Sequence, residues 1–240
     1  MRRVRLVIAM MLLSSSTALP RGGAFAGPMD SAEQGVKVHP AGPVRVTLEY
    51  AKAPDCKVFA WKGKALIEEW YPKISDILFG PNHELPGDSV TLICEPMQSI
   101  AYTDIRKNRI HISAEYIKAN PEDYGMVVHE LTHIVQHYAK LQREQVWLQE
   151  GIADYVRHKY FERDIENLAA AVDSTRDNYR TGYRVTAAFL FWLENNSNPA
   201  VVREINRGCR DGHCTVELFR GACGTDVDAL WNKFLISLKK

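Results

Sequence analysis

The sequence predicts an α+β protein, and three observations carry that reading. Short strand-like segments crowd into residues 44–117, helical periodicity takes over from Pro121 and persists to the C-terminus, and no internal repeat interrupts the progression. Val44–Tyr50 (VRVTLEY) alternates apolar and polar residues, as a half-buried strand does. Phe59–Phe79 has helical character, with Ala65, Ile67, Trp70, Ile74 and Leu78 as candidate core residues, and Gly80-Pro81-Asn82 ends it. Ser89–Cys94 (SVTLIC) and Arg109–Ser113 (RIHIS) read as strands, so residues 89–117 suggest a small antiparallel sheet, within an N-terminal sheet expected to be mixed or antiparallel. Pro121 suits a first helical turn, with Glu122 and Asp123 complementing the positive helix end. Further helices are expected near 146–161, 178–195, 198–207 and 226–238, the last with Thr225 and Asp228 as its start signal.

Composition narrows the possibilities. The chain has 240 residues, 46% apolar and 25% charged, which is the balance of a globular protein able to bury a core. The first 26 residues combine Arg2, Arg3 and Arg5 with the apolar run Leu6–Leu13 and the small-x-small site Ala24-Phe25-Ala26, the pattern of a secretory signal peptide. That run is too short for a stable membrane anchor, and no second stretch is long and apolar enough to be one. Residues 27–43, rich in Gly and Pro, read as a flexible leader, leaving 44–240 as the folded domain. The first 26 residues hold four arginines and no acid, so the remainder carries 26 bases against 29 acids, a net charge of −3. A mildly acidic exported chain gives no electrostatic reason to bind nucleic acid. Cleavage near Ala26 would release a secreted protein, extracellular or periplasmic.

Export turns the five cysteines into potential disulfides. Cys209 and Cys214 flank a short turn and form the natural local pair; Cys56 and Cys94 could tie the amino-terminal half, leaving Cys223. The absence of any C-x-x-C pair argues against a cysteine-based metal site.

The decisive segment is Val127–Gln136, VVHELTHIVQ. His129 and His133 lie four apart, so on a helix both imidazoles reach one metal ion, and Glu130 stands ready to accept a proton from water there. Stepping about 100° per residue groups Val127, Leu131, Ile134, Val135 and Tyr138 on one face, with both histidines opposite. A longer pattern with glycine at 136 and histidine at 139 is absent, since those positions hold Gln136 and Ala139. His137 sits two turns from His129, too far to share the ion. A third ligand comes from Trp147–Tyr155, where Glu150 and Asp154 share a helix face. One acid can bind the metal while the other accepts the free ring N–H of a ligand histidine.

VVHELTHIVQ, EGIADYVR and GYRVTAAFLFWLE, in that order, resemble the gluzincin metallopeptidases, and more narrowly the plant and bacterial peptidases typified by plant basic secretory proteins. The likeness spans about residues 44–238. It implies a zincin-like domain holding one zinc ion per chain on His129, His133 and Glu150. It further implies Glu130 as general base, Asp154 as partner of a zinc-bound histidine, and a peptide or protein substrate. Zinc peptidases often add a tyrosine or histidine at the oxyanion, for which Tyr183 is the better candidate and Tyr179 the other. In zincin-like folds a sheet edge takes up extended peptide, a role that Arg109–Ser113 would fill through His111 and Ser113. The exported chain departs from the family's basic character. Two other readings compete, a binding protein that keeps the fold without turnover and a hydrolase of a non-peptide bond; retention of Glu130 weighs against the first.

Overall fold

The computed structural model describes residues 44–239 apart from 82, 84, 85, 139 and 140. The signal peptide and leader expected at 1–26 and 27–43 therefore lie outside the described residues. The alternating segment at the start forms β1 (Arg45–Glu49), followed by β2 (Ser89–Glu95), β3 (Ala101–Asp104) and β4 (Arg109–Ser113). They build one mixed sheet in the order β1-β2-β4-β3, in which β1, β2 and β4 run parallel and β3 alone is antiparallel. The antiparallel expectation for 89–117 holds only for the β3–β4 hairpin. Its tight turn, closed by Lys107 N–H donating to Asp104 O (3.2 Å) with Asn108 at φ +50°, brings β4 back inside β3 and against β2.

One sheet face carries Val90, Leu92, Cys94, Ile110 and Ile112, each buried. The helix α1 (Lys57–Phe79) and the later helix α3 (Gly125–Gln136) cover the sheet. On α1 the buried stripe runs through Phe59, Gly63, Ile67, Tyr71, Ile74 and Leu78. Ala65 is exposed and Trp70 only half-buried, so the seam passes through Tyr71, four residues after Ile67, rather than through Trp70. A short helix α2 (Ala114–Ala119) follows β4, capped by Ser113 Oγ accepting from Tyr116 N–H (3.2 Å).

The expected helix start at Pro121 is displaced to Gly125. Asp123 still serves that start from outside: its Oδ1 accepts from Met126 N–H (3.2 Å) and from Arg157 Nη2 (2.9 Å). The remaining helices are α4 (Val146–Val156), continued by a wide turn over Arg157–Glu162, α5 (Ile165–Leu168), α6 (Tyr183–Asn196), α7 (Val201–Arg210), α8 (Glu217–Cys223) and α9 (Val227–Ser237). The cap of α9 is Asp226, accepting from Ala229 N–H at 2.8 Å, not Thr225. Cys209 and Cys214 form the expected disulfide, whereas Cys56, Cys94 and Cys223 are thiols.

The packing that matters most for function is α4 on α6. Gly151 makes it possible, because a Cβ there would stand 2.2 Å from Thr186 Cγ2. Thr186 in turn fixes the segment before α6: its hydroxyl donates to Tyr179 O (2.8 Å) and accepts from Gly182 N–H (3.1 Å). The turn leading into Tyr183 is thereby tied to the helix that carries Glu150 and Asp154.

Candidate metal centre

All twelve residues of α3 are buried, so the histidine face that the periodicity leaves open is itself covered, by α4. The helix closes at His137, whose backbone is left-handed (φ +46°), and Tyr138 lies beyond it. His129 and His133 are each 6% exposed and Glu150 3% exposed, so their polar atoms are shielded from solvent and must find partners in one another. They converge: His129 Nε2 lies 3.1 Å from Glu150 Oε2, His133 Nε2 lies 3.4 Å from the same oxygen, and the two Nε2 atoms are 3.2 Å apart.

The outer nitrogens explain how the rings are turned. His129 Nδ1 pairs with Asp154 Oδ1 at 2.7 Å, and His133 Nδ1 with Gln136 Oε1 at 2.8 Å. Gln136 cannot be flipped, because its Nε2 donates to Gln149 O (3.0 Å), so its oxygen faces the imidazole. A carboxylate and an amide oxygen only accept, which puts the Nδ1 protons outward and turns both Nε2 atoms toward the common point. Burial drags the His129 pKa down, but Asp154 and Glu150 outweigh it and raise the group to about 10. Burial likewise opposes charge on His133, and Glu150 reverses the shift upward. Glu150 is pushed up by burial and pulled well below the usual carboxylate range by His133 and His129. Its second oxygen, Oε1, is buried with no hydrogen-bond partner among the described residues.

Two imidazole nitrogens and a carboxylate oxygen at such separations form a set able to hold one cation in place of the protons between them. Donors held about 2.0–2.2 Å from a tetrahedral ion stand about 3.3–3.5 Å apart. The observed 3.1, 3.2 and 3.4 Å lie within about 0.2 Å of that spacing. A second His/acid cluster, His158 with Glu162 and Asp164, is of another kind. There Arg157 Nε donates to Glu162 Oε1 (2.6 Å) and His158 Nδ1 meets Asp164 Oδ1 (2.8 Å), so the acids are already answered by a guanidinium and a ring N–H.

Beside the three donors stands Glu130, 7% exposed. Thr103 Oγ1 on β3 donates to Glu130 Oε2 (2.7 Å) and lies 2.9 Å from the Glu130 carbonyl. Sequence reading overlooked both Thr103 and Gln136. Tyr183 is the tyrosine near the centre: its ring lies parallel to that of His129 at 6.3 Å, and its backbone is left-handed at φ +47°, a strained state for a non-glycine residue. Burial, reinforced by Glu150, Asp154 and Glu130, pushes its hydroxyl pKa well above the ordinary value. Tyr179 packs instead between Trp147 and Trp231 in the core.

The reading of β4 as a free edge is corrected. β4 is flanked by β2 and β3, so it has no open side, and the outer strand next to the centre is β3. Thr103, which reaches Glu130, is paired with Ile110, and alternation sends His111 and Tyr102 to the opposite face, where their rings stack at 4.4 Å. His111 Nδ1 pairs with Glu95 Oε1 (2.9 Å), and Ser113 caps α2. Neither residue belongs to the His129, His133 and Glu150 cluster.

Fold and site thus define an α+β protein with a buried His-His-Glu cluster and a carboxylate beside it. The model of the family described as Peptidase of plants and bacteria (BSP) matches residues 56–234, and the chain belongs to that family. Membership makes it a peptidase by class, with peptide or protein as substrate. Comparisons with curated proteins and with solved structures return no match. Among the described residues, no helix is long and apolar enough to cross a membrane.

Proposed function

We propose that this chain is an exported, zinc-dependent peptidase with a zincin-like domain over residues 44–240, released from a signal peptide at 1–26 and preceded by a leader at 27–43. The convergence of two Nε2 lone pairs and one carboxylate oxygen within 3.4 Å carries the reading. His129, His133 and Glu150 hold the ion, and a nitrogen, nitrogen, oxygen set with one position left for water suits zinc. Bound there, zinc supplies Lewis-acid chemistry, activating water at neutral pH and polarising the scissile carbonyl.

The protein's own groups do the rest. Glu130, its Oε2 held by Thr103 Oγ1, accepts the proton from the attacking water and passes it to the leaving amine nitrogen. Asp154 and Gln136 lock the two imidazoles in the ligating tautomer. Tyr183, kept protonated at neutral pH, donates its hydroxyl to the oxyanion. The outer strand β3 offers backbone groups to an extended peptide alongside Glu130.

The test is paired: metal content of the purified protein, and cleavage of an unstructured protein with and without a chelator. One zinc per chain and chelator-sensitive cleavage support the proposal; cleavage indifferent to chelator overturns it. A finer prediction concerns Asp154→Asn. The amide cannot offer a charged acceptor to the His129 ring, so metal affinity falls about 10–100-fold with the fold intact. Competition against a zinc indicator reads that loss, and unchanged affinity would remove Asp154 from the centre.

A further inference from the structure

Next to Glu150 lies a cavity of about 380 Å³, within the range of about 300–1,000 Å³ that ligand sites occupy. Tyr183 and Trp147 line it, together with three further charged groups, Arg143, Glu144 and Arg180. Peptide hydrolysis as derived above uses none of these three. Two arginines and Glu144 leave the lining with one net positive charge once Glu150 is assigned to the metal centre, and of the two arginines Arg180 is the one whose guanidinium is held against aromatic rings. Among the described residues, no carboxylate comes within ion-pair distance of it.

Arg180 is also held in place. Its guanidinium carbon lies 5.3 Å from the ring centre of Tyr179 and 5.8 Å from that of Trp147. Its backbone sits in the turn Tyr179–Thr181, where Asn178 Oδ1 accepts from Arg180 N–H (2.8 Å) and Thr181 Oγ1 accepts from Asn178 N–H (3.0 Å). Thr186 anchors the same turn through Tyr179 O. A guanidinium stacked on aromatic faces gives up little freedom on binding, and its planar fork matches a carboxylate.

We infer that Arg180 is a specificity-determining residue that selects an anionic group on the peptide, either an acidic side chain beside the scissile bond or the terminal carboxylate. The inference rests on the peptidase reading above. The arginine stands in the wall of a cavity that shares Glu150 and Tyr183 with the reacting centre, so a carboxylate bound by it positions the neighbouring peptide bond at that centre.

The experiment uses peptides carrying Glu, Gln or Lys next to one scissile bond, each with a free or an amidated C-terminus, and compares wild type with Arg180→Gln, Arg180→Lys and Arg180→Glu. Wild type favours the anionic peptide about tenfold or more in kcat/KM. Arg180→Gln brings that ratio near one, Arg180→Lys retains part of it, and Arg180→Glu inverts it toward Lys. A preference that survives amidation identifies an acidic side chain; one abolished by amidation identifies the terminal carboxylate. Equal cleavage of all peptides by wild type, or a preference unmoved in Arg180→Gln and Arg180→Glu, overturns the inference while the peptidase reading stands. Failure to cleave even an unstructured reference protein overturns both.

Discussion

Replacing Glu130 by Gln is expected to leave the metal in place and to lower kcat about 10²–10⁴-fold, the range that a positioned general base contributes. The separation of the two effects follows from the geometry. Glu130 lies beside the converging Nε2 and Oε2 atoms but is not among them. Its carboxylate faces Thr103 Oγ1 at 2.7 Å, and a glutamine oxygen can accept that same hydroxyl, so the buried side chain keeps its partner and the fold its packing. What the amide cannot do is take a proton from water. Metal content measured beside initial rates on an unstructured protein decides the matter: rates within a few-fold of wild type, with full metal content, would falsify Glu130 as the base. Loss of metal together with activity would instead make Glu130 a ligand.

The contrast between what the sequence reveals here and what it hides is physical. The His pair, Glu150 and Asp154 are legible because helical spacing of four is a local rule, and a buried carboxylate four residues from another demands partners. Gln136 was legible by the same rule, three residues after His133 and thus on its face, although nothing in its chemistry marks it as a partner of the cluster. Thr103 was not. Its strand is four residues long, Ala101–Asp104, with no alternation to announce it, and its contact with Glu130 spans 27 residues. The misplaced edge has the same origin: RIHIS reads correctly as a strand, but whether it lies inside or outside is decided by the hairpin that folds β3 past it. Strand order is a property of connections, not of the strand's own pattern. Tyr183 falls between these cases, since Gly-Tyr at a helix start is visible, yet the left-handed backbone that turns the ring over His129 depends on Thr186 and α4.

His133→Ala carries the second large effect, and it strikes metal and fold together. Two of the three donors remain, and Gln136 Oε1, now facing a void, loses the ring N–H it accepted at 2.8 Å. Glu150 loses one of the two imidazoles that hold its pKa down, so a buried carboxylate is left with less compensation. Unsatisfied buried groups of this kind cost about 1–3 kcal/mol each. The larger loss is linkage. A ligand that binds only the folded state stabilises it by RT ln(1 + [L]/Kd), about 2.7 kcal/mol at a hundredfold excess over Kd, and a site stripped to two donors forfeits nearly all of that. Thermal unfolding with zinc and with chelator separates the contributions. In wild type, zinc raises Tm and chelator lowers it; in His133→Ala both midpoints coincide below the wild-type value in chelator, and cleavage is absent in either condition. Glu130→Gln, by contrast, keeps the full zinc-dependent rise in Tm while losing turnover. A wild-type Tm indifferent to zinc would mean that the three donors do not form a site. A His133→Ala Tm that still rises with zinc would move the site to other ligands. With both outcomes as expected, the two variants divide the buried cluster into the residues that hold the ion and the one that moves the proton.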